Sequence, residues 1–297
     1  MVDQSKFTTY LNGQFIPHDQ AVAALQAEET QAAGGYYDGE RTFNQQVFRL
    51  RQHLERLFRG LSYSRIDPGM SMEDMEAIVL EVLDANRHLL GHNDEFSVTQ
   101  VVNSTPGNSA DEPPKVNIVV FCQPLQFSAF AQSYRTGVRI VTPATYSVPE
   151  RTAQTGIDGN GQRVYQLMTG NEGSITECVG ANFMFIRGGR IKLPDRHNVL
   201  AGVSMQTVLE LAESLGIPVD EDEYSTYDVY MSEEAFVSST RPCMLPVATI
   251  NGLRLGEGVS GPVTGRLLDA WRQLVGMDFV QQALDQVSSD DSEPPRG

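Results

Sequence analysis

The sequence predicts an α+β fold in two lobes. Strand-like runs precede helix-like runs twice along the chain, and a stretch without clear periodicity, Gln123–Tyr134, separates the two series. The 297 residues are 40% hydrophobic and 20% charged, enough apolar material for a sizeable core and too much for wholesale disorder. The expected division is a small amino-terminal lobe over 1–123, an interdomain linker over 124–134, and a larger lobe over 135–287. The polar, proline-rich tail over 288–297 (SSDDSEPPRG) is expected to be disordered.

In the first lobe, Tyr10–Pro17 (YLNGQFIP) alternates around Asn12-Gly13, a strong hairpin signal. A helix is expected from about Leu50, with Leu54, Leu57, Phe58 and Leu61 on one face. A second starts at Ser71, whose spacing to Asp74 suggests a capping box. It turns Met75, Ile78, Val79, Val82 and Leu83 inward and stops near Gly91. Strand-like runs follow at Phe96–Val102 and Val116–Cys122. In the second lobe, strands are expected at Val138–Thr142, Val164–Met168, Asn182–Arg187 and Ala235–Ser238. A helix over Ser204–Leu215 directs Met205, Val208, Leu209, Ala212 and Leu215 inward, and Gly216 and Pro218 end it. A last helix surrounds Trp271, carrying Leu267, Leu268, Leu274 and Val275.

Charge narrows the function classes. The net charge of −16 and pI near 4.7 repel phosphate backbones and anionic headgroups, which disfavours nucleic-acid or membrane-surface binding. No apolar run of about 18 residues and no signal pattern at Met1–Asn12 are present, so a cytoplasmic protein is expected. Cys122, Cys178 and Cys243 are scattered and odd in number, which excludes a disulfide framework or a CxxC metal knuckle. The five histidines lack HExxH spacing and Gly91 separates His88 from His92, so no metal site is expected. Only three of the 22 basic residues are lysines: Lys6, Lys115 and Lys192.

Three local features suit anion or heteroaromatic chemistry, and each has a plainer reading. The amides of Val203 and Ser204 in Leu200–Ser204 (LAGVS) open a helix whose dipole favours an anion, though Ser204 equally serves as an N-cap. Glu177, between two strands, could hold a heteroaromatic nitrogen protonated, or be a solvated strand-end acid. Arg56 lies off the apolar face of its helix, where it could fork onto a phosphate or simply be solvated. The loop Gly156–Gly161 lacks both a Walker lysine and an EF-hand glutamate and is expected to be a turn. No GxSxG nucleophile elbow occurs.

In order, the chain carries YLNGQFIP, GYYDGERTF (Gly35–Phe43), VFRLRQHLERLF (Val47–Phe58) and ITECVGANFMFI (Ile175–Ile186). LAGVSMQTVLELAESLGIPV (Leu200–Val219), FVSSTRPCMLPV (Phe236–Val247) and GPVTGRLL (Gly261–Leu268) follow. Each is weak alone; together, over about residues 8–285, they resemble the fold-type IV pyridoxal-phosphate enzymes, the class IV aminotransferases. That family includes branched-chain and D-amino acid aminotransferases and aminodeoxychorismate lyases. The resemblance implies a homodimer and a phosphate held by Arg56 (in His53-x-x-Arg56), by the Val203 and Ser204 amides and by Thr240. It implies that Glu177 pairs with the pyridine nitrogen, making the ring an electron sink, and that Tyr37, Arg41 and Asn103 lie toward the substrate.

The chain departs from the family at the centre of the chemistry. A gap-free reading from Gly137–Thr142 puts the family's Schiff-base lysine at Gln154, and no lysine occurs between Lys115 and Lys192. A glutamine amide is neutral, non-nucleophilic and without a useful pKa, whereas general acid–base help is worth about 10²–10⁴-fold. On Ser97–Ser104, Asn103 stands where D-amino acid aminotransferases carry an arginine for the substrate carboxylate. The resemblance therefore implies non-covalent binding of pyridoxal or pyridoxamine phosphate, with weak or specialised transfer between a small amine or amino acid and a keto acid. The alternatives are a non-catalytic relative that binds a ligand or partner, and a lyase-like enzyme using another base such as Tyr37.

Overall fold

The computed structural model describes residues 4–28, 34–105, 114–142, 156–159, 161–170, 172–256 and 259–290. The chain forms two compact units, Met1–Leu125 and Gln126–Gly297. Gln154 lies outside the described residues, as do Asn160 of the expected turn and residues 291–297 of the expected tail.

In the first unit, β1 (Thr8–Leu11) and β2 (Gln14–Pro17) form the hairpin, with Leu11 opposite Gln14 across Asn12-Gly13. Both turn residues have positive φ, 48° and 92°, which is why asparagine and glycine stand there. Then follow α1 (His18–Glu28), β3 (Gly34–Phe43), β4 (Gln46–Val47), α2 (Leu50–Tyr63), α3 (Met72–Asn86), β5 (Phe96–Thr105) and β6 (Lys115–Pro124). The sheet is antiparallel, ordered β2-β1-β6-β5-β3-β4. Leu54, Leu57 and Leu61 of α2 and Met75, Val79, Val82 and Leu83 of α3 are buried against Phe96, Val98, Val102 and Val120 of the strands. Each such side chain contributes about 1.5–3 kcal/mol of transfer free energy. Ser71 and Asp74 form the capping box at the start of α3, and Ile78 and Phe58 are half-buried at the edge of this core.

The second unit contains α4 (Ser133–Thr136), β7 (Val138–Val141), β8 (Gly156–Ile157), β9 (Arg163–Thr169), β10 (Ile175–Cys178), β11 (Asn182–Arg187) and β12 (Arg190–Pro194). After these come α5 (Val203–Ser214), β13 (Val219–Asp222), α6 (Thr226–Tyr230), β14 (Glu234–Ser239), β15 (Cys243–Ile250), β16 (Leu253–Arg254), α7 (Pro262–Val275) and α8 (Phe279–Asp290). The main path of its sheet is β10-β9-β7-β15-β14-β11-β12-β13. Three pairings among the described residues are parallel: β7 with β9, β7 with β15, and β12 with β13. No helix among the described residues is long and apolar enough to cross a membrane.

Several local expectations need correction. In α5, Leu211 is buried while Leu209 and Leu215 are only half-buried, because the inward stripe runs through Val208, Leu211 and Ala212. Leu274 is 49% exposed, since the buried face of α7 ends at Trp271. Ser288–Asp290 continue α8 rather than beginning a disordered tail; they contain no helix breaker, and Pro294 comes later. The boundary between the two units, after Leu125, falls within 124–134; beyond it Phe127, Phe130 and Tyr134 are buried, the Tyr134 ring lies 6.2 Å from that of Phe279 of α8, and its hydroxyl donates to the Pro242 carbonyl at 2.6 Å.

Candidate functional site

In the first unit, β3 places alternate side chains on alternate faces. Asp38 and Glu40 point toward α2, which brings His53 and Arg56, one turn apart, down onto Asp38. Arg56 forks onto this carboxylate, donating from Nε to Oδ2 at 2.7 Å and from Nη2 to Oδ1 at 2.6 Å. His53 Nδ1 lies 2.8 Å from Asp38 Oδ1, and both side chains are buried. Burial pushes the His53 pKa down, so the ring is neutral at pH 7 and donates from Nδ1. Burial alone would raise Asp38, but the bonds from His53 and Arg56 outweigh it and hold the carboxyl below its usual range.

Beneath this triad lies Glu40, fully buried, its Oε2 accepting from Gln100 Nε2 on β5 at 2.8 Å. Its other oxygen has no partner among the described residues. Burial raises its carboxyl from 4.5 to about 8, opposed by the Gln100 bond and reinforced by Asp38. Glu40 is therefore mostly neutral at pH 7.

Tyr37, Arg41 and Asn103 occupy the opposite face of the same sheet. Register sets Tyr37 against Val101 and Gly35 against Asn103, which makes Tyr37 and Asn103 diagonal neighbours. Arg41 is four residues further along, about 13 Å away. Tyr37 is 78% exposed, while Arg41 is buried with its guanidinium 4.2 Å from the Phe43 ring centroid.

In the second unit, Glu177 is half-buried on β10. Its Oε2 accepts from Asn182 Nδ2 at 2.9 Å and from the Leu200 amide at 3.0 Å. Burial raises its pKa, partly offset by the Leu200 bond. Asn182 Nδ2 also donates to the Leu200 carbonyl at 2.9 Å, joining β10, β11 and the segment before α5. Asn182 Oδ1 fills the space beside Gly202, where a Cβ would come within 2.0 Å of it. Gly202 is the N-cap of α5 and no side chain caps the helix, so the first-turn amides of Val203 and Ser204 stay available for an anion. Ser204 lies at the second helical position and is not itself the cap. Ser238, opposite Asn182 on β14, is buried with a hydroxyl that has no partner among the described residues. Thr240 follows two residues later, in the connection before Cys243, whose φ is +62°. Glu177 is thus tied to the segment that opens α5, and Asn182, which holds it, pairs across the sheet with Ser238, two residues before Thr240.

The expected turn after Gly156 forms around Asp158, which accepts from Gln162 N at 3.0 Å and pairs with Arg139. Lys192 belongs to a surface ion pair: its Nζ donates to Asp220 at 2.6 Å. Asp38, Glu40, Gln100, Asn182 and Ser238 were not singled out by sequence reasoning. The i, i+2 pairing of Asp38 and Glu40 on a strand beside an amphipathic helix was the available signal; Gln100, Asn182 and Ser238 had none.

Two units built on these sheets, the second with an uncapped helix start beside the half-buried Glu177, define a mixed α+β protein. The class IV aminotransferase family model matches residues 35–158 and 160–250, and the chain belongs to that family. It is similar to a putative branched-chain-amino-acid aminotransferase of Methanocaldococcus jannaschii, 25% identical over 89% of this chain and 95% of that protein. A D-alanine aminotransferase of Staphylococcus haemolyticus is 24% identical over 90% of this chain and 97% of that protein. Among solved structures, the branched-chain amino acid aminotransferase of Escherichia coli matches with a TM-score of 0.76. It is 20% identical, covering 91% of this chain and 95% of that one.

Proposed function

We propose that the chain binds pyridoxal or pyridoxamine phosphate without a covalent bond and carries out weak or specialised amine transfer. The observation that carries this reading is retention of the anchors without the lysine: none occurs between Lys115 and Lys192. The residues fit the cofactor. In the second unit the uncapped α5 amides suit its phosphate, with Thr240 in the family pattern, and the buried Ser238 hydroxyl has no partner among the described residues; in the first unit Arg56 matches the family's phosphate arginine. Glu177, held by Asn182 and the Leu200 amide, suits a protonated ring nitrogen, whose positive charge would offset the burial that raises its pKa. The bound ring would supply an electron sink for bonds at an amine carbon. Asn182 keeps Glu177 and the α5 start in one arrangement, and Tyr37 and Asn103 line the face expected toward the substrate. With Gln154 at the family's lysine position, proton movement needs another group or solvent. Amino and keto acids are the substrate class that fits the family, and a homodimer follows from the same resemblance.

A non-catalytic ligand-binding role is the second reading. It is favoured by Arg56, whose charge is already shared with Asp38. Purified protein denatured in acid should release cofactor, and borohydride treatment should leave the polypeptide mass unchanged. A stoichiometric adduct on Lys115 or Lys192 refutes non-covalent binding, and no affinity for either cofactor form leaves the second reading.

A further inference from the structure

Asp38, Glu40 and His53 form a buried polar cluster in the first unit, with ligand-capable atoms all within 4.8 Å of one another. A metal ion does not suit it, because Asp38 already accepts a bidentate guanidinium that supplies the counter-charge. What the cluster has in excess is a second acid. Glu40 is fully buried, with one oxygen bonded to Gln100 and the other to nothing among the described residues. The Gln100 amide suits either form of it: its N–H₂ donates to a carboxylate, and turned over, its carbonyl accepts from a neutral carboxyl.

We propose that Glu40 is a proton-controlled gate on anion binding at Arg56, open when the carboxyl is neutral and closed when it is ionised. This rests on Arg56 being a phosphate contact. With Glu40 neutral, Arg56 and Asp38 balance, and the outer edge of the 21% exposed guanidinium can take an anion. With Glu40 ionised, two buried carboxylates share one permanent cation, and a further anion meets net negative charge.

The surroundings offer little else to compensate. On β3 the nearby acid is Asp38, and Tyr37 on the other face also feels the Arg56 charge. On α2 the facing groups are His53, held neutral by burial, and Arg56, with Arg49 ahead of the helix acting on His53. From β5 comes uncharged Gln100, and from β6 Cys122, whose thiol burial pushes up to about 12. The buried residues of α3 are Met75, Val79, Val82, Leu83 and Asn86, which carry no charge. Since Glu40 titrates at about 8, the gate works just above neutrality.

The test is calorimetric titration of wild type and Glu40→Gln with pyridoxamine phosphate at pH 7 and 9. The variant subtracts the ligand's own titration. Wild-type affinity should fall about fivefold more than that of the variant between those two pH values, and near pH 8 wild type should take up more protons on binding. Identical pH dependence and proton uptake in both overturn the gate while leaving the phosphate contact standing. No binding by folded protein at pH 7 overturns that contact and the gate together. If Glu40→Gln does not fold, carboxyl carbon NMR of wild type decides: the Glu40 midpoint should rise by about one pH unit with ligand, and an unmoved midpoint refutes the proposal.

Discussion

Replacing Glu40 by glutamine changes how stability depends on pH, and the size of the change follows from burial. The Glu40 carboxyl titrates at about 8 in the folded chain against 4.5 when free. Between those values the folded state holds a proton that the unfolded state has released. Stability from this group is therefore fully present below about 4.5 and is lost as pH rises toward 8. Each pH unit in that window costs about 1.4 kcal/mol. The cleanest interval is pH 6.5 to 7.5, where Asp38 is ionised in both states and His53, its pKa lowered by burial, is neutral when folded. Glutamine stays neutral, so the stability of Glu40→Gln relative to wild type should rise by about 1.4 kcal/mol across that interval. Any His53 contribution cancels in the difference. Tryptophan fluorescence is the wrong assay, because Trp271, the only tryptophan, belongs to the second unit. Hydrogen exchange of β3 and α2 peptides in graded urea, corrected for intrinsic rates, reads the first unit directly. A difference that stays constant from pH 6.5 to 7.5 would mean that Glu40 is already ionised or solvated, and would refute the reasoning.

Gly202→Ala forces a Cβ to within 2.0 Å of Asn182 Oδ1. It should destabilise the second unit by about 1–3 kcal/mol, read by urea unfolding followed at Trp271, and an unchanged midpoint contradicts the packing described. Arg56→Ala should weaken pyridoxamine phosphate binding by about 1.5–3 kcal/mol, as for a hydrogen bond to a charged group; calorimetry giving an unchanged Kd removes Arg56 from the phosphate contacts. Gln154→Lys should gain a borohydride-stable cofactor adduct detectable by intact mass, with Arg151→Lys and Thr155→Lys as controls for register. Bound cofactor with no adduct in any of the three means a pocket rebuilt for other chemistry.

The elements legible in the sequence are those whose signal is local. The Asn12-Gly13 turn, the Ser71–Asp74 capping box and the one-sided leucines of α2 each declare themselves within a few residues. Strand β15 does not, because it is buried along nearly its whole length between β14 and β7 and shows no alternation, with Pro246 in its middle. Strands β12 and β13 meet in parallel only after α5 intervenes, so neither announces its partner. Leu274 is expected inward on helical spacing, yet the buried stripe of α7 stops one turn earlier.

The site divides along the same line. Arg56, Glu177, Val203 and Ser204 are local candidates whose plainer readings, a solvated side chain or a simple helix cap, yield only to the family resemblance, and Thr240 enters through that resemblance alone. What local reading could not supply was the neighbours. Asp38 lies 18 residues from Arg56, and Asn182 lies 18 from Leu200, so the contacts that orient Arg56 and Glu177 exist only once β3 meets α2 and β11 meets the start of α5. Those contacts change the chemistry of the candidates. A lone Arg56 on a helix face is a free cation ready for phosphate; Arg56 forked onto Asp38 above a buried Glu40 has an affinity for anions set by how many of those two acids are charged. Glu40 itself was invisible as a site residue because an acid within a strand is ordinarily solvated. The fold reverses that expectation by laying α2 over it, with Gln100 the side chain that bonds it among the described residues, whichever protonation state the pH allows.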